Sequence, residues 1–267
     1  IYKCIEREGI CGPSGRKVRI EMFAHGALCM AISGKCYLSL QTYGSSANRG
    51  ACFQLCRRGY EVTDLETGGK LNIDNKYIMS PKDLCTIEFM DKIIDSGVKV
   101  FKIEGRARSA EYVKRCASCY RRAADAVCEG NYTPELAAEL KRELGEVFNR
   151  GFWDGYYQGA KLGEWSAVYG SQASRKKVYC GKVSNWFDRI GVAEIAVESA
   201  PLKKGDELMA IGETTGVVEF RADDIRVNFE SVELAPKGVR CSVAVDASDS
   251  PDGKLRRGDK VYIWEEV

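Results

Sequence analysis

The chain has 267 residues, of which 45% are hydrophobic and 29% charged, and its formal net charge is +2. This balance excludes a wholly disordered chain, and the length suits one large domain or two modest ones. No apolar run approaches the roughly 18 residues of a membrane-spanning helix, so no membrane partner is expected. Charged residues near the start exclude a secretory signal peptide and favour the cytoplasm. Because the sequence begins at Ile1 without a methionine, we expect the front of a longer protein to precede it.

The first two thirds of the chain alternate between strand and helix patterns. Polar and apolar residues alternate over 17–25, which predicts a strand. The Gly- and Ser-rich stretch 40–75 is typical of a long functional loop. A capping serine and a proline at 80–81 predict the start of a helix, and Gly97 predicts its end. The further elements expected are a strand at 98–104 and helices at 109–128 and 134–148. This order predicts an α/β fold with a parallel sheet or barrel.

The last third of the chain consists of short β-rich runs separated by Gly, Asp, Pro and Lys turns. Such closely spaced runs are typical of a small all-β barrel or sandwich. The runs are 191–197, 206–211, 216–220, 241–245 and 260–264. We therefore expect two domains, an α/β domain over 1–170 and a small β-barrel over 176–267.

Charge is distributed unevenly along the chain. Residues 176–267 carry 14 basic and 17 acidic residues, a net charge of −3, which leaves +5 for residues 1–175. Within the first part, six cations fall in the seventeen residues 106–122. Such a stripe could follow the phosphates of a nucleic acid, or it could be the solvated face of a helix. Local composition favours the solvated face.

Cysteine is the unusual residue type, with 12 in the chain. Without an export signal, metal ligands or buried thiols are better interpretations than a disulfide framework. The five cysteines from position 29 to position 85 are separated by 6, 15, 3 and 28 residues, which is not a zinc-finger spacing. These five are Cys29, Cys36, Cys52, Cys56 and Cys85. They could hold one iron–sulfur cluster or be inert thiols. Cys116 and Cys119 share one face of a predicted helix, which favours packing.

Four polar residues at predicted strand ends are candidate site residues. His25 is the chain's one histidine, so a histidine base would have to be this residue, although a structural histidine is the alternative. Its offset from Cys29 does not identify a Cys–His hydrolase. Glu104 and Arg106 end the second predicted strand, where polar groups of α/β barrels face the active site. Glu21 could act likewise on the first strand. The alternative for these charges is a plain surface ion pair.

The stretch 21–39 resembles the signature of the collagenase-like peptidases, family thirty-two of the peptidases of unknown catalytic type. It holds a Glu, a Phe two residues on, His-Gly, a Cys, Ser-Gly, and a second Cys before Leu-Ser. Further matches lie at 48–57, 80–85, 101–106, 109–112 and 148–152. The resemblance implies the later part of a TIM-like (βα) barrel, followed by a small all-β barrel similar to the second domain of translation elongation factors.

The same resemblance implies a function. Members of the family support hydroxylation of RNA, at the wobble uridine of tRNA or at a cytidine of large-subunit rRNA, and hold a [4Fe–4S] cluster through four cysteines. The C-terminal barrel is similar to that of the tRNA 5-hydroxyuridine branch, which implies prephenate as co-substrate. The cluster ligands implied by motif are Cys29, Cys36, Cys52 and Cys85, with Cys56 as a competitor. The residues expected beside the cluster are His25, Glu21, Glu104 and Arg106, of which Arg106 would bind the co-substrate carboxylate.

The alternative function is a collagenase-like peptidase, or a zinc- or peptide-binding module that uses His25 and Cys29 without a cluster. No protease triad signature, zinc-protease motif or phosphate-binding loop occurs in the sequence. RNA hydroxylation is therefore the first expectation, with tRNA or rRNA and a small carboxylate as partners.

Overall fold

A computed structural model of the chain describes residues 1–29, 37–45, 49–73, 81–160, 163–166 and 170–267. The chain divides into two compact units, Ile1–Ala173 and Ser174–Val267. Within the described ranges, no helix is both long enough and apolar enough to cross a membrane.

The described residues of the first unit include five α-helices. Their bounds are α1 Tyr2–Glu8, α2 Leu38–Tyr43, α3 Met90–Asp95, α4 Ala110–Glu129 and α5 Pro134–Glu146. The two long helices confirm the sequence prediction. Ser109 precedes α4 with extended backbone, and the Thr133 hydroxyl caps α5 by accepting a hydrogen bond from the Leu136 N–H at 3.2 Å.

One sheet and one hairpin make up the β-structure described in the first unit. The strands are β1 Ile20–Gly26, β2 Tyr60–Thr63, β3 Lys70–Ile73, β4 Asp83–Cys85, β5 Val98–Glu104 and β6 Phe152–Trp153. The sheet has the order β5-β1-β4-β6, and β2 pairs with β3. β1 and β5 run parallel, as their sequence pattern predicted, whereas β4 runs antiparallel to β1.

The helix start predicted at 80–81 is wrong. Residue 80 lies outside the described residues, Asp83–Cys85 is strand β4, and α3 begins only at Met90. The reason is tertiary pairing. Pro81 forms a β-bridge with Trp165, and the Asp83 N–H donates to the Gly151 carbonyl at 2.9 Å. These long-range backbone bonds override a local capping pattern.

Helix α4 supplies much of the core of the first unit. Its buried residues recur every three or four positions, so that one face packs against the sheet and against α3 and α5. Cys116 and Cys119 are fully buried on this face, which agrees with the packing interpretation. Burial raises the pKa of the Cys119 thiol to about 12.

The second unit is all β in structure. Its strands are β7 Arg175–Phe187, β8 Val192–Val197, β9 Leu202–Lys203, β10 Glu207–Gly212, β11 Gly216–Arg221, β12 Ile225–Val227, β13 Glu230–Val232, β14 Leu234–Ala235, β15 Arg240–Ala244 and β16 Lys260–Glu266. Eight of them form a sheet in the order β11-β10-β16-β7-β8-β15-β12-β13, and β9 pairs with β14. Alternate side chains such as Ala193, Ile195 and Val197 of β8 enter its core.

The chain is therefore a mixed α/β protein with several sheets. Each of the five β-rich runs predicted in the last third contains a strand of the second unit. The expected TIM-like and small β-barrels stay predictions, because in the described residues neither the four-stranded nor the eight-stranded sheet closes on itself.

Candidate functional site

The carboxyl ends of the parallel strands β1 and β5 lie side by side. Gly26 pairs with Glu104 in the strand register. Gly26 has a φ of +114°, and a Cβ at this position would lie 2.6 Å from the Glu104 carbonyl oxygen. Glycine is therefore required for the two strand ends to approach. The close approach brings the His25 and Glu104 segments to one edge of the sheet.

His25 lies at this edge in an aromatic enclosure. Only 2% of the residue is exposed, and its ring centroid lies 6.0 Å from that of Tyr112, 5.5 Å from Tyr120 and 5.6 Å from Phe152. The Tyr120 hydroxyl lies 3.4 Å from the histidine Nδ1. Burial, assisted by the charge of Arg108, lowers the pKa of His25 to about 3. The imidazole is therefore neutral at physiological pH.

Cys85 is the neighbour of His25 on strand β4. The two residues pair in the antiparallel register, and Cys85 is 3% exposed. The Tyr120 hydroxyl lies 3.9 Å from the Cys85 Sγ and donates to the Ala24 carbonyl at 2.8 Å. Burial raises the pKa of the Cys85 thiol to about 11. Tyr120 thus joins α4 to both strands at the point where the histidine and cysteine lie.

Arg57 holds the loop that carries Cys52 and Cys56. Only 7% of Arg57 is exposed. Its guanidinium donates to the Leu28 carbonyl at 2.9 Å and to the Pro81 carbonyl at 3.2 Å. Leu28 immediately precedes Cys29, and Pro81 lies shortly before β4 with its Cys85. One buried side chain therefore connects the three segments that carry the described cysteine ligands expected for a cluster.

The fit of these cysteines to a metal cluster is incomplete in the described residues. Cys29 and Cys52 are exposed, Cys56 is half-buried and Cys85 is buried. Cys36 lies outside the described residues. Thiols are the ligands that iron–sulfur clusters need. Within the described ranges, however, no three His, Cys, Asp or Glu side chains form a group that could hold a metal ion.

Glu21 is not brought to this edge of the sheet. It pairs with Val100 near the amino end of the parallel strands, whereas Gly26 pairs with Glu104 at the carboxyl end. Five strand residues separate the two places, roughly 16 Å. Glu21 instead lies 3.6 Å from Lys102, with both side chains about half exposed. In the structure Glu21 thus forms the surface ion pair that the sequence left open as its alternative, and its expected role beside His25 stays a prediction.

The Glu104 carboxylate is engaged by its own loop. Its Oε1 accepts a hydrogen bond from the Arg106 backbone N–H at 2.9 Å, and the Arg106 residue is exposed. The next residue, Ala107, has a φ of +57°, which is strained for a residue with a Cβ. The chain then turns back toward the protein at Arg108, whose N–H donates to the Gly105 carbonyl at 3.0 Å.

Arg108 is a site residue that the sequence reasoning missed. Its guanidinium carbon lies 4.0 Å from the Phe148 ring centroid and 5.7 Å from that of Tyr112. The available sequence signal was its position in the basic run 106–122, between the matching motifs 101–106 and 109–112. The left-handed conformation of Ala107 turns the backbone between Arg106 and Arg108. Alanine rarely adopts this conformation, so the sequence did not predict the turn.

The basic stripe on α4 is largely paired. Arg115 lies 3.7 Å from Glu143 and 3.6 Å from Glu146 on α5. Arg122 contacts Glu139 and Glu143, each at 2.7 Å, and Arg121 forms an ion pair within α4. The stripe therefore agrees with a solvated, ion-paired helix face better than with a track for phosphates.

Comparison with known proteins identifies a family and several relatives of this chain. Residues 8–167 match the family model described as peptidase family U32. The chain is 55% identical over 97% of its length to a collagenase of Porphyromonas gingivalis, of which it covers 63%. It is 32% identical over 73% of its length to the tRNA hydroxylation protein P1 of Bacillus subtilis, covering 47% of that protein. It is 38% identical over 79% of its length to the 23S rRNA 5-hydroxycytidine C2501 synthase of Escherichia coli, covering 32% of it. The chain thus spans less than two thirds of each of these relatives.

Proposed function

The chain belongs to peptidase family U32, and from this premise we propose that it is part of a protein that hydroxylates an RNA base. Two of the relatives compared are named for hydroxylation of tRNA and of 23S rRNA. The observation that carries the proposal is the Arg57 bridge, which connects the cysteine segments beside His25 and Glu104. A buried cation with carbonyl partners on two distant segments supports an organised cysteine site rather than scattered thiols.

A [4Fe–4S] cluster is part of this proposal. The proposed ligands are Cys29, Cys36, Cys52 and Cys85, with Cys56 as the competitor for one position. Such a cluster supplies one-electron redox chemistry that no amino-acid side chain here offers. The chain's own residues would shape the surroundings. Tyr120 fixes β1 against β4, and the imidazole of His25, which pairs with Cys85 in the strand register, is neutral.

The finer parts of the proposal rest on the family resemblance. The proposed substrate is the wobble uridine of tRNA, the proposed modification is 5-hydroxylation, and the proposed co-substrate is prephenate. The proposed architecture is the later part of a TIM-like barrel over 1–170 and a small β-barrel over 176–267, in a cytoplasmic protein. A cytidine of rRNA is the alternative substrate.

A peptidase is the second candidate function, favoured by the 55% identity to a protein named collagenase. The geometry of His25 does not support it. A histidine base needs access to its nucleophile and a group that orients the ring. His25 is 2% exposed, and within the described residues its one hydrogen-bond contact is the Tyr120 hydroxyl rather than a carboxylate.

Deletion of the gene tests the proposal directly. We expect mass spectrometry of nucleosides from the deletion strain to show loss of a 5-hydroxypyrimidine from tRNA or rRNA. The wild-type gene should restore it, and a Cys52→Ser gene should restore less than about a tenth of it, because three thiolates hold a cluster poorly. Cys128→Ser, at an exposed cysteine of α4 outside the proposed ligand set, is the matched control and should restore it fully.

Purified protein gives a second readout that does not depend on activity. Anaerobically prepared wild-type and Cys128→Ser proteins should each contain about four iron and four sulfide per chain, and Cys52→Ser should contain much less. Unchanged RNA in the deletion strain, together with cleavage of collagen by an iron-free protein, would replace this function with the peptidase.

A further inference from the structure

Three arginines converge next to the candidate site. The guanidinium carbons of Arg108 and Arg150 lie 4.0 and 5.0 Å from the same Phe148 ring centroid. Arg150 is 5% exposed and Arg57 is 7% exposed. The charges of Arg57 and Arg108 both act on Arg150. We call Arg57, Arg108 and Arg150 the arginine cluster, of which Arg57 and Arg150 are buried and Arg108 is half-buried.

The buried carboxylate of Asp83 acts on both buried arginines of the cluster, Arg57 and Arg150. Arg150 lies 3.4 Å from the buried carboxylate of Asp83 and donates to the Gln54 side-chain oxygen at 2.6 Å. Arg57 is engaged by two backbone carbonyls. For the Arg108 guanidinium, the described residues offer aromatic rings but neither a hydrogen-bond acceptor nor an ion-pair partner.

Asp83 supplies one negative charge to these three cations, so an additional anion beside Arg108 would stabilise the cluster further. Like charges repel strongly where water is excluded, and a guanidinium stacked on a ring still has five N–H donors to satisfy. Burial, with the charge of Arg57 as the next cause, lowers the pKa of Arg150 to about 10. The first turn of helix α4, which follows Arg108 directly, carries the buried acid Glu111, which matches the preference of a helix amino end for negative charge. The preference for a further anion therefore rests on the cations.

We propose that Arg108, backed by Arg57 and Arg150, binds the carboxylate of a small organic acid. The planar fork of a guanidinium matches a carboxylate with two parallel hydrogen bonds. The burial of Arg57 and Arg150 favours a small molecule over the phosphates of a polymer, which stay at the surface. The strained φ of +57° at Ala107 directs Arg108 inward and leaves Arg106 exposed, so Arg108 replaces Arg106 as the carboxylate ligand.

The identity of this acid as the hydroxylation co-substrate rests on the proposed function, whereas the binding site itself does not. The Tyr112 ring centroid lies 5.7 Å from the Arg108 guanidinium carbon and 6.0 Å from the His25 ring, so the bound acid would lie near the end of the sheet where Cys85 lies. The inference therefore joins the proposed co-substrate to particular side chains of this chain.

Calorimetric titration of the anaerobically purified full-length protein with prephenate tests the proposal. Arg108→Gln should weaken binding about 10- to 100-fold, the loss expected for charge-assisted hydrogen bonds. Arg108→Lys should bind with intermediate affinity, since it keeps the charge but loses the fork. Arg142→Gln, at an exposed arginine of α5, is the matched control and should bind like the wild type. Circular dichroism melting checks that each variant folds.

Three results would overturn the proposal. These are absence of prephenate binding to the wild type, equal binding by wild type and Arg108→Gln, and an equal loss in Arg142→Gln. A fourth comparison separates the source of the anion. If Arg108→Gln lost affinity for tRNA while prephenate binding stayed unchanged, the site would belong to an RNA phosphate. If the deletion strain kept normal RNA but Arg108→Gln still lost prephenate binding, the carboxylate site would stand and RNA hydroxylation would fall.

Discussion

The surroundings of His25 determine the protonation state and the hydrogen bonding of its imidazole. Three aromatic rings and the burial of 98% of the residue remove the water that would stabilise a protonated ring. A histidine whose pKa lies near 3 is a weak base at neutral pH, so proton abstraction by His25 is disfavoured. Because the Tyr120 hydroxyl proton goes to the Ala24 carbonyl, the imidazole can donate its Nδ1–H to the Tyr120 oxygen, 3.4 Å away, which makes His25 part of the support for the strand ends.

The buried imidazole predicts a dependence of stability on pH. The pKa of His25 is about 3 in the folded protein and 6.5 when unfolded, so the unfolded chain binds the proton first as pH falls. The contribution of His25 is therefore complete above about pH 6.5 and is lost as pH falls toward 3. Between pH 7 and pH 5, the free energy of unfolding should fall by about 2 kcal/mol more in the wild type than in His25→Phe.

Urea unfolding of both proteins at the two pH values measures this difference. Arg142→Gln again serves as the control, because its exposed side chain should leave the pH dependence unchanged. Equal slopes for wild type and His25→Phe, or an imidazole NMR signal that titrates near pH 6.5, would show that His25 reaches water.

Several candidate residues could be predicted from the sequence, but their grouping could not. His25, Cys85 and Glu104 were identified from motifs and strand ends, and the structure brings their segments to one edge of the sheet. Glu21 was a candidate from the same motif, but its pairing with Val100 away from that edge could not be predicted. Arg108 was not among the predicted candidates. The left-handed conformation of Ala107 sets the direction of Arg108, and an alanine in the sequence does not indicate such a conformation.

At the scale of elements, the pairing of β1 with β5 depends on the absence of a Cβ at Gly26. Gly26 approaches the Glu104 carbonyl so closely that a Cβ would lie 2.6 Å from it. The Tyr112 hydroxyl donates to the same carbonyl at 3.2 Å, so helix α4 is joined to the strand end at this point. Any outward shift of β1 would therefore also disturb the contact between sheet and helix.

Gly26→Ala should consequently destabilise the fold by about 3 kcal/mol, from backbone strain together with overlap. Gly130→Ala is the matched control. Gly130 also has a positive φ, +75°, but a Cβ there would meet nothing within 4 Å. Gly130→Ala should lower the free energy of unfolding by about 1 kcal/mol. Urea unfolding of the three proteins provides the comparison, and equal losses for the two variants would mean that the close approach at Gly26 is readily relieved.

Elements with strong periodicity were predictable, and elements made by long-range pairing were not. Helices α4 and α5 and strand β5 follow their sequence patterns closely. Strand β4 was predicted as a helix start, because its pairing with β1 and β6 involves residues distant in sequence. The 13-residue strand β7 was not predicted, since its charged beginning and internal glycine hide the alternation.

At the scale of the whole molecule, the second unit has a hydrophobic core of its own. Residues of β7, β8, β10, β15 and β16 contribute to this core, with Leu208 1% exposed. Ninety-odd residues with one continuous core are enough for an independent domain. We therefore expect residues 174–267 expressed alone to unfold cooperatively in urea when followed by circular dichroism.

Two leucines of this unit make the expectation specific. Leu208→Ala should lower the free energy of unfolding of the fragment by about 3 kcal/mol, through lost burial and a cavity. Leu234→Ala, at a position that is 46% exposed, should lower it by less than about 1 kcal/mol. A fragment that unfolds gradually, or one that responds equally to both substitutions, would show that the core does not form without the rest of the chain.

The Arg57 bridge bears on how a ligand would reach the cysteine loop. Its bonds to Leu28 and Pro81 are made entirely within the protein, so the loop is arranged before anything binds to it. Most of the conformational entropy of ordering the loop is then lost during folding rather than during binding, and pre-organisation of this kind strengthens affinity. We therefore expect the described part of this loop, residues 49–58, to keep its arrangement when a ligand is released.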